Sequence, residues 1–486
     1  MKKFYNRKDE IQALLDIHKE SKDQARFTYI IGQRRIGKTK LIEHVFLNSK
    51  FQKKNKVVYF FVERKSVDAL LLEFTDLLKS IFDLTPEFKD LSSFFKYLFE
   101  QSRHQNLTII FDEFQNFSYV DSSVFSTLQK LWDKHKYESY LNLITIGSIY
   151  SSMEKIFVSK HEPLFGRPTD KLSLKTFSIS TLQEILKDNK VNSFDQLLSN
   201  FTLFNGIPKY WDILEYKKLL NKKPDEILLD LFLSSRSLLK NEGKELLMEE
   251  FGPEYHTYFS IIEAIATLSK VSTNKIASRV GIESHHVSTY LASLNKKFSL
   301  ITKKKSLINF SNKKGRYILN NRFLQTWFRY IFANKSLVES GNKQEIINKF
   351  NKDFQSYKGL AFEDLTIQIL KSTYQKFSYE TWGGYWDKQR EIDIVGINKS
   401  EKTAMIGECK LSVNMVNDEI VQKMEENARY LSSVLVGYKV KKYIFVASKG
   451  SKSKAKQWDD DYGIKLVDKD ELLGLITEST RNECCE

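Results

Sequence analysis

The chain of 486 residues contains little cysteine, proline or glycine: 3, 6 and 19 residues respectively. Its cysteines are Cys409 and the tail pair Cys484 and Cys485, which supply neither a disulfide framework nor the spacing of a zinc knuckle. Such scarcity implies a reducing compartment. With 41% hydrophobic and 28% charged residues, the shortage of proline and glycine excludes long disordered linkers. Long apolar runs are missing as well. No stretch reaches the roughly 18 residues of a membrane span, and the opening "MKKFYNRKDE" lacks the apolar segment of a signal peptide. A cytoplasmic protein with no membrane partner is expected.

The chain is too long for one core, and three or four domains are expected. Its formal charge of +15 has two readings. A positive surface gathers phosphate-bearing partners, but a lysine-rich proteome gives the same excess without any such partner.

An apolar run, "FTYII" (27–31), leads into "GQRRIGKT" (32–39) and then the amphipathic "KLIEHVFLNS". The order is strand, glycine-rich loop, helix. The spacing of Gly32, Gly37, Lys38 and Thr39 is that of a phosphate-binding loop, whose backbone N–H groups wrap an anion at a helix N-terminus. Gln33, Arg34, Arg35, Ile36 and Lys40 complete the expected nucleotide contacts. Lys38 would reach the β- and γ-phosphates and the Thr39 hydroxyl would bind Mg²⁺, so ATP and Mg²⁺ are the expected cofactors.

Such a loop requires carboxylates at the end of a second buried strand, and "LTIIFDEFQNF" (107–117) supplies them. Asp112 would hold the metal, directly or through water, and Glu113 would act as general base on the attacking water. Two further apolar runs, "KVVYFFV" (56–62) and "LNLITIGS" (141–148), read as parallel strands covered on both faces. Ser148 is placed either to sense the γ-phosphate or to cap the following helix. In "PLFGRPT" (163–169), Arg167 is either an arginine finger, in cis or in trans, or a surface residue.

Together "FYNRKDEIQALL", "GQRRIGKT", "IIFDEFQ", "TIGS", "PLFGRPT" and "FNGIPKYW" (204–211) resemble the archaeal-type ATPases, P-loop proteins related to the AAA+ and STAND groups. The resemblance runs in order over roughly the first half of the chain. It implies that Arg7 approaches the adenine side and that Gly206 to Lys209 lie in a helical lid.

Beyond the lid, "YFSIIEAIAT", "TNKIASRVG" and "ESHHVSTYLASLNKK" parse as three helices with short turns, and "LITKKKSLINF" and "KGRYILN" as the strands of a wing. If this winged helix binds nucleic acid, DNA more than RNA, Ser284, His285, His286 and Ser288 would face bases. Lys303, Lys304, Lys305, Lys313, Lys314 and Arg316 would then meet phosphates. The same module also serves as a protein-docking surface. His285 and His286 are not expected to ligate a metal, since adjacent helical positions diverge.

In the last part, Asp393 in "REIDIVGI" and Glu408 in "IGECK" lie inside apolar strands, where burying an acid costs several kcal/mol unless compensated. Glu408 and Lys410 share a strand face, and the neighbouring strand sets Asp393 beside them. With Glu363 from a preceding helix they make a candidate Mg²⁺ site in which Lys410 assists the nucleophile or stabilises charge. Cys409, on the opposite face, is expected to be packed rather than reactive. The set Glu363, Asp393, Glu408 and Lys410, with Glu391 adjacent, resembles the PD-(D/E)xK nuclease core. It also looks like the C-terminal domain of unknown function carried by many archaeal-type ATPases. The first motif lacks the proline of that name.

The expectation is a multi-domain α/β protein with a P-loop core at 1–180, a helical lid at 181–250, a winged helix-turn-helix at 251–335 and a nuclease-like domain at 340–486. Two functions fit. One is an ATPase coupled to DNA binding or metal-dependent cleavage. The other is an ATP-switched scaffold whose nuclease-like domain is inactive and docks a partner. Either leaves room for a homo-oligomer.

Overall fold

The unbroken apolar runs of the N-terminal half become the interior of a sheet. The computed structural model describes residues 3–82, 86–251, 255–268, 270–308 and 315–482, and the chain divides into two compact units, Met1–Thr176 and Phe177–Glu486. The first is built on β1 (Arg26–Ile31), β2 (Lys56–Phe61), β3 (Leu107–Asp112), β4 (Leu141–Ile146) and β5 (Asp170–Ser173). All five are parallel, in the order β2-β3-β4-β1-β5.

Every residue of β3 and β4 is buried, as required of strands covered by helices on both sides. Alternation along the strands divides their side chains between two cores. On one face Phe111 and Tyr29 join Phe60, Phe74 and Phe94, with the Phe60 and Phe111 rings stacked at 5.1 Å. On the other, Ile30, Ile110 and Ile144 meet Leu14 and Ile17 of the helix Lys8–Glu20 and Leu41 and Ile42 of the helix Lys38–Val45. Because the strands are parallel, the carboxyl ends of β1, β3 and β4 open on one edge. There β4 stands between the loop-bearing β1 and the acid-bearing β3.

The second unit opens with the helices Ile179–Asp188, Phe194–Phe204 and Pro208–Tyr216. Pro208 begins the last of these, where its missing N–H costs nothing. The helices Tyr255–Leu268, Thr273–Val280 and Ser284–Lys296 follow, and Gly281 closes the second with φ 74°. An antiparallel pair comes next, β6 (Ile301–Lys304) and β7 (Arg316–Leu319). Lys313 and Lys314 lie outside the described residues.

The helix Lys343–Ser372 then packs along the helix Phe194–Phe204, with Phe362 edge-on to Phe194 and Lys358 paired with Asp195. It also covers a second sheet of order β12-β11-β10-β9-β8. These strands are β8 (Thr381–Trp386), β9 (Glu391–Asn398), β10 (Thr403–Lys410), β11 (Lys439–Val446) and β12 (Ile464–Val467). β9 runs antiparallel to both β8 and β10, and β10, β11 and β12 run parallel. Between the pairs Gly383–Val395 and Tyr385–Ile392, β9 uses one residue more than β8. This bulge carries Asp393, the kind of place where a strand re-aims a side chain. The mixed α/β, multi-part architecture expected from the sequence is the one observed.

Gly206, within "FNGIPKYW", admits no side chain: a Cβ there would lie 2.4 Å from the carbonyl oxygen of Phe177, whose N–H donates to Gly206 O at 2.7 Å. The obstacle is backbone and cannot swing away. Gly206→Ala is expected to destabilise the second unit by about 2 kcal/mol, the usual cost of overpacking, measured by urea unfolding.

Candidate functional site

Residues 32–37 turn the chain from β1 into the helix Lys38–Val45. Gly37 sits at φ 91°, left-handed backbone that favours glycine, and a Cβ on Gly32 would meet the carbonyl oxygen of Leu174 at 2.8 Å. Ile36 buries its side chain with Leu41 and Ile42 and so anchors the loop. Gln33, Arg34 and Arg35 are half-buried, Arg35 at φ 68°, and Lys40 is exposed. The Lys38 ammonium folds over the loop, donating to the carbonyls of Gly32 (2.9 Å) and Gln33 (3.2 Å). A helix N-terminus with a lysine and no acid in its first turn is an anion site.

Arg7 is buried and uses its guanidinium as a brace. It donates to Ile36 O (3.2 Å), Lys175 O (2.6 Å) and Glu10 (2.9 Å), tying the N-terminal segment to the loop and to the chain beyond β5. These bonds brace the loop from its N-terminal side. Lys209 of the expected lid pairs with buried Glu242 at 2.9 Å.

At the end of β3 the two acids are held apart by different partners. Asp112 Oδ2 accepts from the Thr39 hydroxyl (2.7 Å) and the Tyr59 phenol (2.8 Å), and Oδ1 accepts from the Glu113 N–H (2.8 Å). Glu113 adopts left-handed backbone at φ 53°, and its Oε2 accepts from the Ser148 hydroxyl (2.7 Å) and the Gln115 amide. Ser148 therefore contacts the acid and does not cap the next helix, whose N-cap is Ile149 without a side-chain bond. Gly147 permits this approach, since a Cβ there would strike Met153 and Gln115 within 2.5 Å. Thr39 and Asp112 present oxygen donors side by side, which suits a hard cation such as Mg²⁺.

Two contributors were not legible beforehand. Tyr59, in the apolar β2, holds Asp112, and burial followed by the Asp112 charge keeps its phenol protonated. Gln115 holds Glu113. The signal for each was a single polar residue in an otherwise apolar or acidic stretch.

Arg167 is placed elsewhere. It bonds Phe165 O (2.9 Å) and Asp133 (3.2 Å), a residue near the end of the helix Ser123–His135. The adjacent Thr169 N–H bonds Phe27 O at the start of β1, so this segment lies at the amino ends of the strands, opposite the loop. The connection into β5 therefore holds Arg167 away from the phosphate-binding loop of its own chain.

In the second unit, Asp393 Oδ2 accepts from the Cys409 N–H (2.9 Å) and Glu408 pairs with Lys410 (2.5 Å). Burial, then the charges of Glu363 and Glu408, push the Asp393 carboxyl up to about 7. Glu363 is raised by burial, against the pull of Lys270, whose ammonium it binds at 2.7 Å. Burial and the nearby acids push the Cys409 thiol up, which leaves it unreactive.

Glu363, Asp393 and Glu408 share electrostatics but do not form a ready cation site. Among the described residues, the one set of three His, Cys, Asp or Glu side chains with ligand atoms within 4.8 Å of one another is Glu283, His285 and His286, all exposed. The ligand atoms of these three carboxylates are thus not gathered in this structure, whereas the two histidines, expected to diverge, converge. Glu363 and Glu408 are separately paired with lysines and Asp393 with a backbone N–H, and the His285 and His286 rings lie 3.9 Å apart, tilted to one another.

Residues 4–210 match the ATPase domain predominantly from Archaea, and residues 327–424 match the family described as "Archaea bacterial proteins of unknown function". The chain is 29% identical over 466 residues to the uncharacterized protein MJECL04 of Methanocaldococcus jannaschii, covering 93% of this chain and 97% of that one. The Walker-type ATPase PABY2304 of Pyrococcus abyssi superposes with a TM-score of 0.51 at 17% identity, over 67% of this chain and 96% of that one. At that identity the likeness is one of fold. No helix among the described residues is long and apolar enough to cross a membrane.

Two measurements probe these contacts. Tyr59→Phe removes one hydrogen bond to a charged group. It is expected to raise the Mg²⁺ concentration that supports ATP binding about tenfold while leaving binding in chelator unchanged. Asp393 has its folded pKa raised above its ordinary value of 3.8, so the stability it lends is present below that value and lost as pH rises through about 7. Asp393→Asn should therefore stabilise the protein at pH 8 in chelator, on the order of 2 kcal/mol, and leave it nearly unchanged at pH 4, as read by urea unfolding.

Proposed function

From the premise that residues 4–210 are an archaeal-type ATPase domain, we propose that this protein hydrolyses ATP and couples the cycle to nucleic acid, DNA before RNA. The observation that carries the first part is the paired arrangement at one sheet edge: Thr39 with Asp112, and Ser148 with Glu113. Loop N–H groups and Lys38 hold the β- and γ-phosphates. Thr39 and Asp112 hold Mg²⁺, which when bound neutralises charge on the phosphates. Glu113 takes a proton from the attacking water as it is released from Ser148 and Gln115, and the freed Ser148 hydroxyl turns to the γ-phosphate. Arg167, held away from the loop of its own chain, acts in trans on the nucleotide of a neighbouring copy.

In this reading 181–250 is a lid, 251–335 a winged helix and 340–486 a PD-(D/E)xK-like domain. Lys303, Lys304, Lys305 and Arg316 of the wing meet phosphates, and Glu363, Asp393, Glu408 and Lys410 form the nuclease-like centre. A second reading, an ATP-switched scaffold with a silent nuclease-like domain, is favoured by one observation: Glu363 and Glu408 of that centre already have lysine partners within the chain.

The test is ATP turnover and cleavage of linear, nicked and single-stranded DNA, with Mg²⁺ or Mn²⁺, by wild type, Lys38→Ala, Glu113→Gln and Glu408→Ala. Lys38→Ala should lose ATP binding. Glu113→Gln should keep binding and lose turnover at least about 100-fold, the worth of a general base. Cleavage lost in Glu408→Ala supports the nuclease reading; ATP turnover without cleavage of any substrate supports the scaffold. Wild-type turnover in Lys38→Ala would overturn the nucleotide assignment.

A further inference from the structure

The acids of the C-terminal sheet are met by cations from the segment 270–322. Lys270 lies 2.7 Å from Glu363 and 3.8 Å from Glu391, and Arg316 of β7 lies 2.6 Å from Glu391 with its guanidinium over the Trp386 ring at 4.7 Å. Asp364, next to Glu363, binds both Lys304 of β6 (2.8 Å) and Arg322. The backbone joins in, because Leu307 N–H donates to Gly384 O (3.1 Å) and Trp386 N–H donates to Ser306 Oγ (3.2 Å). The members of these ion pairs line one cleft together with Asp393.

We propose that Lys270 and Arg316 form a latch that keeps Glu363 from joining Asp393 and Glu408 around a divalent cation, and that a nucleic-acid strand opens it by taking both cations onto its phosphates. The inference rests on the reading of these parts as nucleic-acid-binding and nuclease-like. Lys270 is the centre of the device: its ammonium lies against Glu363 and Glu391 in the cleft that Asp393 also lines, so it holds with one charge an acid that a divalent ion would need. A divalent ion must displace it, and a phosphate that captures Lys270 frees Glu363. Strand binding and cation binding then strengthen each other reciprocally. The cations of the wing are withheld from phosphates until the acids have another partner.

The test is Mn²⁺ binding to the full chain without nucleotide, followed by the electron paramagnetic resonance signal of the free ion. The C-terminal signal is defined as the part lost in Glu408→Gln, which also subtracts Mn²⁺ held by DNA. Lys270→Met, keeping the apolar stem, and Lys270→Met with Arg316→Ala should bind Mn²⁺ at least about tenfold more tightly than wild type, and a short duplex should bring wild type to the same level. Hydrogen exchange supplies a measurement free of substitutions: duplex with Mn²⁺ should speed exchange of the Leu307 amide in wild type. If duplex-bound wild type holds Mn²⁺ through Glu408 but neither latch variant gains affinity and Leu307 stays protected, the latch is overturned and the metal reading survives. If no form binds Mn²⁺ through Glu408, the metal reading falls and the latch with it.

Discussion

A carboxylate taken out of water must be given something in exchange, and both units are arranged around that requirement. In the first, Asp112 is 3% exposed and receives two hydroxyls and a backbone N–H. In the second, Asp393 receives one N–H, Asp364 a lysine and an arginine, and Glu363 a lysine. The difference in what each acid is given decides its chemistry. Neutral hydroxyls leave Asp112 its full charge to offer a cation, whereas ammonium and guanidinium groups spend the charge of the C-terminal acids within the chain.

The sheet order turns this local chemistry into a site. Inserting β4 between β1 and β3 brings Ser148 to Glu113, while the Thr39 hydroxyl reaches across to Asp112. Glu113 is therefore under restraint before any substrate arrives. One oxygen of its carboxylate, Oε2, accepts from both Ser148 and Gln115, which fixes the direction in which the acid points.

How much could be read from residues alone follows from how local each signal is. The loop, the acid pair and the buried strands are short-range patterns, and β1, β3 and β4 fall where "FTYII", "LTIIFD" and "LNLITI" place them. Tyr59 was not legible, because its value depends on β2 lying beside β3, a pairing that "KVVYFFV" does not encode. Arg167 stayed ambiguous for the converse reason: an arginine in a loop has no direction until the strand after it is placed. The carboxylate trio was legible as a set of residues but not as a geometry. Its partners Lys270 and Arg316 lie far from it in sequence and belong to a segment that reads, by itself, as a surface for phosphates.

The contact of residues 306 and 307 with β8 carries a consequence of another kind. β8 is the edge strand of the second sheet, and on its outer side Gly384 and Trp386 make backbone bonds with this short stretch of chain. Any state in which the stretch lifts away presents a bare strand edge, a ready template for pairing with another chain. Such a state is self-limiting in dilute solution and adhesive in a crowded one, so the same movement that frees the acids would also give one copy of the molecule a reason to find a second.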